Sequence, residues 1–144
     1  MLKARFMIPG EPCGKGRPKF STQGGFVRAV TPEKTINYET LVKLEYQRQC
    51  PGIFFDRSRA IGMLVTCNKP IPKSASKKKR AQMLDRVIYP GKKPDWDNAG
   101  KIVCDALNGL AFIDDAQIVD GRVIKRYAET PSVVVEIWEE GING

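Results

Sequence analysis

The chain has 144 residues, 42% hydrophobic and 28% charged, which suits one domain that buries its core without disulfides. It contains no histidine, so serine–histidine–aspartate triads, cysteine–histidine pairs and histidine-ligated zinc are all excluded, and any catalysis falls to carboxylates, lysines, a thiol or a bound ion. The formal charge of +8 directs attention to anionic partners.

Taken in chain order, Leu2, Ala4, Phe6 and Ile8 alternate with other residues and predict an opening strand. Pro9, Gly10, Glu11 and Pro12 stop the apolar stretch too early for a signal peptide. No later run approaches the ~18–20 apolar residues of a membrane helix, so a cytoplasmic protein without membrane association is expected. The following PCGKGRPKFSTQGGFVRAVTP is a loop with a hairpin near Gly24-Gly25. Thr31 as N-cap and Pro32 at the first helical position start a helix running to about Gln49, which Cys50-Pro51-Gly52 ends. Ile61 to Cys67 predicts a strand buried on both faces, closed by Asn68-Lys69-Pro70. Ser74 caps a short basic helix over roughly 75–84. From Asn98, the apolar Ala99, Ile102, Val103, Ala106 and Leu107 recur at the spacing of an amphipathic helix, with Asn108-Gly109 as its stop. The remainder reads as a hairpin, Ile118–Tyr127 and SVVVEIWEE around a turn at Glu129-Thr130-Pro131. The order predicts a single α/β (α+β) domain over 1–144, a mixed β-sheet flanked by helices.

Cys13, Cys50, Cys67 and Cys104 stand far apart without a CxxC pair, so they read as reduced thiols. GEPCGKG is one residue short of a phosphate-binding P-loop and Gly16 follows its lysine, which excludes a nucleotide cofactor. The charge is unevenly spread. Residues 69–93 hold nine Lys/Arg against Asp85 alone, the first thirty residues are also basic, and residues 94–144 carry four basic groups against ten acidic ones. A lysine run such as SASKKKR also fits a solvated helix face, but several separate basic segments favour nucleic acid, because phosphate neutralisation is additive.

The acidic half opens with KPDWDNAGK, residues 93–101. In an extended segment Asp95 and Asp97 point one way and Trp96 the other; once the helix begins, Lys101 lies on the face of Asp97. Asp114-Asp115 follows the helix, and Gly109 lets the chain turn back toward the helix start. Two acidic clusters side by side repel one another, and a hard divalent ion bound by oxygen is the usual compensation. A plain reading stays open: Asp97 as N-cap with Lys101 as its ion-pair partner, Asp95 in an exposed turn, and Asp114-Asp115 as a turn or cap.

The stretch KPDWDNAGKIVCDALNGLAFIDDAQIVDGRVIK resembles the signature of the RusA-like Holliday junction resolvases: a D-x-D-N pair, a lysine four residues on, a D-A-L helix end and a D-D-A-Q segment. A weaker similarity extends to GKGRPKF and VTPEKT. The resemblance implies a homodimeric endodeoxyribonuclease selective for four-way DNA junctions and dependent on Mg²⁺, with Mn²⁺ able to substitute. It implies Asp95, Asp97 and Asp115 as catalytic metal ligands and Lys101 as the catalytic lysine; Asp114 faces either the site or the solvent and is given only a supporting part. Trp96 stands where a smaller aliphatic residue is expected, and Gly100 weakens the helix by roughly 1 kcal/mol relative to alanine. Lys15, Arg17, Lys19, Lys77, Lys78, Lys79, Arg80, Lys92 and Lys93 are the candidate DNA contacts. A metal-dependent nuclease acting on flaps, forks or RNA, and a non-catalytic nucleic-acid-binding protein, remain the alternatives.

Overall fold

The computed structural model describes residues 1–16 and 19–144, with the backbone alone for Lys19 and Gln23. Arg17, a candidate DNA contact, lies outside the described residues. The elements are β1 (Lys3–Pro9), β2 (Lys19–Ser21), β3 (Arg28–Val30), α1 (Glu33–Gln49), β4 (Arg59–Pro70), α2 (Lys77–Leu84), α3 (Trp96–Leu107), β5 (Ile118–Ala128) and β6 (Ser132–Ile142). Strands β1, β6, β4 and β5 lie side by side in that order; β5 runs parallel to β4, and β6 antiparallel to both β4 and β1. The result is a mixed-sheet α+β domain.

Alternation builds one face of that sheet. Ala4, Phe6 and Ile8 of β1 and Val133, Val135 and Ile137 of β6 are buried together with Ile61, Met63, Val65 and Cys67 of β4. Onto this face packs α3 through Ala99, Ile102, Val103, Ala106 and Leu107, the stripe its sequence period predicts. Helix α1 is mostly polar and buries Thr35, Val42 and Tyr46, the last with its ring edge-on to Phe6 at 5.3 Å. Its hydroxyl donates to the Ile53 carbonyl at 2.6 Å.

Several elements differ from the sequence reading. The last two strands form no hairpin: β4 lies between them, with Pro70 opposite Ala128 and Asn68 opposite Ser132, so Glu129–Pro131 spans the end of β4. A strand buried on both faces needs hydrogen-bonding partners on both sides, and β4 takes β5 and β6 as those partners. It also runs through Pro70 instead of closing at Asn68. Helix α1 begins at Glu33; Pro32 is extended (φ −56°, ψ 141°) and occupies the cap position without a side-chain bond, displacing the expected Thr31 cap. Ser76, not Ser74, caps α2, its hydroxyl accepting from the Lys79 N–H at 3.2 Å. The β2–β3 hairpin forms as expected, with Gly24 and Gly25 both at φ +81° in its turn. All four cysteines are free thiols. Among the described residues no helix is long and apolar enough to cross a membrane.

Candidate functional site

The start of α3 organises the site. Asp95 occupies its N-cap in extended geometry, follows the cis Lys93–Pro94 peptide, and makes no side-chain bond to the helix. Its carboxylate faces Lys93 Nζ at 3.5 Å instead. The first-turn N–H groups of α3 are therefore left without a side-chain cap, at the end of the helix that favours negative charge. The loop after β1 clasps this end, with the Lys15 N–H donating to the Asn98 carbonyl at 3.0 Å.

Two concavities flank the helix start. On one flank, a cleft of about 270 Å³ gathers Asp97 and Lys101 from α3, Asp115 from the turn before β5, and Arg122 from β5. On the other, an opening of about 510 Å³ is lined by Lys15, Lys34, Lys69, Lys93, Asp95 and Asn98. The structure thus brings Asp97, Lys101 and Asp115 to one concavity and puts Asp95 on the neighbouring one. Trp96 does not point away from Asp97 and Lys101 but lines their cleft, because the helix includes Trp96 and the alternation of an extended chain ends one residue earlier than expected.

The turn that carries Asp115 is pinned by Gln117, which is buried. The Gln117 side-chain oxygen accepts from the Ile113 N–H at 2.9 Å and the Asp114 N–H at 3.3 Å, and its amide donates to the Asp56 and Arg59 carbonyls at 2.8 and 3.1 Å. Asp114 is the N-cap of the short 3₁₀ turn Asp115–Gln117. Partial desolvation, the adjoining Asp114 carboxylate and Asp105 raise the Asp115 carboxyl above its ordinary range, against the pull of Lys101. This crowding of negative charge is what a cation would relieve.

Asp105 is the residue that the sequence reading missed. Its carboxylate forms ion pairs with Lys15 Nζ at 3.1 Å and Lys101 Nζ at 3.6 Å, so Lys101 pairs one turn onward instead of back to Asp97. Its position four residues after Lys101 was the available signal. Lys15 also donates to Glu39 of α1 at 2.8 Å and is largely buried, so it ties the loop to two helices. Desolvation alone would depress the Lys15 ammonium, but its bonds to Glu39 and Asp105 outweigh that and hold its pKa above the usual lysine value. Lys77, Lys78, Lys79 and Arg80 are exposed along α2, Arg80 facing Glu129 at 3.2 Å. Lys92 and Lys93 are exposed in a loop whose carbonyls accept from Lys125 and Lys69, each at 2.7 Å.

Among the described residues no three acidic or thiol side chains stand close enough together to enclose an ion as a preformed cage. The donor set nevertheless fits magnesium, which prefers oxygen ligands, keeps several waters, and is commonly held by one or two carboxylates together with substrate phosphate. Asp97 and Asp115, which line one cleft, are the carboxylates available for such a role.

Fold and site together define a small α+β domain with a carboxylate–lysine centre beside a basic opening. The sequence matches the family described as Endodeoxyribonuclease RusA over residues 9–138. It is 38% identical over 137 residues to the uncharacterized protein YqaN of Bacillus subtilis (strain 168), covering 94% of this chain and 95% of that one. The chain belongs to the endodeoxyribonuclease RusA family.

Proposed function

We propose that this protein is a divalent-metal-dependent endodeoxyribonuclease that resolves four-way DNA junctions by paired symmetrical nicks, acting as a homodimer. The observation that carries the reading is the convergence of Asp97, Lys101 and Asp115 on one cleft, next to an opening lined by four lysines. Asp97 and Asp115 hold the ion in this reading, and Asp95, on the flank shared with the lysines, is the third carboxylate. When bound, Mg²⁺ or Mn²⁺ lowers the pKa of a water and stabilises charge on the phosphoryl oxygens. Lys101 adds positive charge at those oxygens, and the uncapped start of α3 points further N–H groups toward the same region. The lysine-lined opening and α2 grip flanking phosphates. One centre per chain cuts one strand, so two matched nicks need two copies related by a two-fold axis.

A mobile four-way junction, with duplex and flap controls, tests the reading in Mg²⁺, Mn²⁺ and EDTA. Junction cleavage is expected with either metal and not in EDTA. Asp97→Asn is expected to slow cleavage by about 100-fold or more while leaving junction binding intact. Cleavage by pure protein in EDTA, or equal cutting of plain duplex, defeats the proposal.

A further inference from the structure

We propose that the apolar side of the cleft beside α3 receives one unstacked nucleobase of the DNA strand being cut, with Trp96 as its stacking wall; this rests on the nuclease reading above and adds a ligand to the same site. Trp96 is 64% exposed, although an indole is among the largest apolar groups a fold has to bury. It sits in the first turn of α3, directly between Asp95 and Asp97, at the edge of the cleft. Met63, Val65, Val123 and Ile118 make the cleft apolar within, while Asp97, Lys101, Asp115 and Arg122 line it as well.

Gly100 keeps the cleft open. One turn after Trp96 it lines the same concavity, and a Cβ added there would come within 3.0 Å of the Val123 Cγ2 atom. The helix accepts a residue unfavourable to it at the place where a side chain would fill the space. Cys104 also lines the cleft; burial pushes its thiol pKa up to about 11, and its sulfur lies 3.8 Å from the Met63 sulfur.

These features favour a flat apolar ligand attached to an anion. An aromatic wall beside the apolar side of the cleft suits the π-face of any base, and stacking of this kind tolerates all four bases. Lys101 and Arg122 suit the phosphates on either side of it. Strands at a branch point also surrender a base more cheaply than an intact duplex, because part of the stacking is already lost.

Junctions carrying 2-aminopurine on either side of the cleaved linkage test this, with Ca²⁺ replacing Mg²⁺ during binding. The natural protein is expected to raise the fluorescence at one position. Trp96→Ala should remove that rise and slow cleavage in Mg²⁺ by about 5- to 150-fold, whereas Trp96→Phe should retain most of both. Gly100→Ala, which leaves the indole in place but narrows the cleft, should also diminish the rise. Melting temperatures close to that of the natural protein exclude misfolding, as the exposure of Trp96 leads one to expect. Trp96→Ala or Trp96→Leu behaving like the natural protein in both measurements overturns the proposal even if the protein cuts junctions. A fluorescence rise dependent on Trp96 in a protein that cuts no DNA upholds the base pocket and rejects the nuclease reading.

Discussion

Lys15 is the side chain whose role changed most between sequence and structure. Written as GKGRPK it reads as one of several cations in a flexible phosphate-gripping loop, yet it is largely buried between Glu39 and Asp105 at 2.8 and 3.1 Å. Both partners are distant in sequence, which is why no local pattern announces them. Replacing Lys15 by methionine keeps the stem and removes the charge, leaving two half-buried carboxylates without their shared partner. A loss of about 1–3 kcal/mol is expected in urea unfolding. Because the folded pKa of Lys15 is raised, its contribution is complete below the ordinary lysine pKa of 10.5 and is lost as pH climbs through the folded value. The stability difference between natural protein and variant should therefore be constant from neutral pH to about 10 and shrink only above that.

At the scale of elements, what was legible follows from how local the signal is. Helix α3 was read correctly along its apolar stripe because the 3.6-residue period lies within the segment itself, and burial of Ala99, Ile102, Val103, Ala106 and Leu107 follows from it. The alternation of Ala4, Phe6 and Ile8 gave β1 in the same way. Pairing is a different matter, since β5 and β6 are neighbours in sequence, joined by three turn residues, yet each bonds to β4. What decides this is the two-sided burial of β4, visible in the sequence but not connected there to its consequence. The approach of Asp115 to α3 was legible from the reversal at Gly109, whereas the split of Asp95 from Asp97 depended on the residue at which the helix starts. The topology also predicts unequal protection. Strand β4 is bonded on both sides and β5 on one, so amide hydrogen exchange should show β5 opening at lower free energy than β4. Equal protection of the two strands would contradict this.

Over the whole molecule, the surplus of positive charge is concentrated in the stretch that contains α2, and Lys77, Lys78 and Lys79 are all exposed. If the three contact DNA phosphates, replacing them by glutamine should lower the slope of log affinity against log salt by up to about 3, with little effect on the cleavage rate at saturating protein. Fluorescence anisotropy over a salt series measures it, and an unchanged slope removes α2 from the binding surface. The acidic half carries the opposite sign and holds Asp97, Lys101 and Asp115, so the proposed function places attraction and chemistry on different stretches of one chain.

The double pairing of Asp105 has a bearing on how the centre would respond to an arriving strand. A lysine that must leave its counter-ion to meet a phosphate normally strands that counter-ion in a poorly hydrated place. Here Asp105 keeps its contact with Lys15, which it shares with Glu39, so a departure of Lys101 toward a phosphate would leave the carboxylate partly compensated instead of unpaired. The loop that clasps α3 thereby keeps one cation beside the helix it holds, whichever partner Lys101 takes.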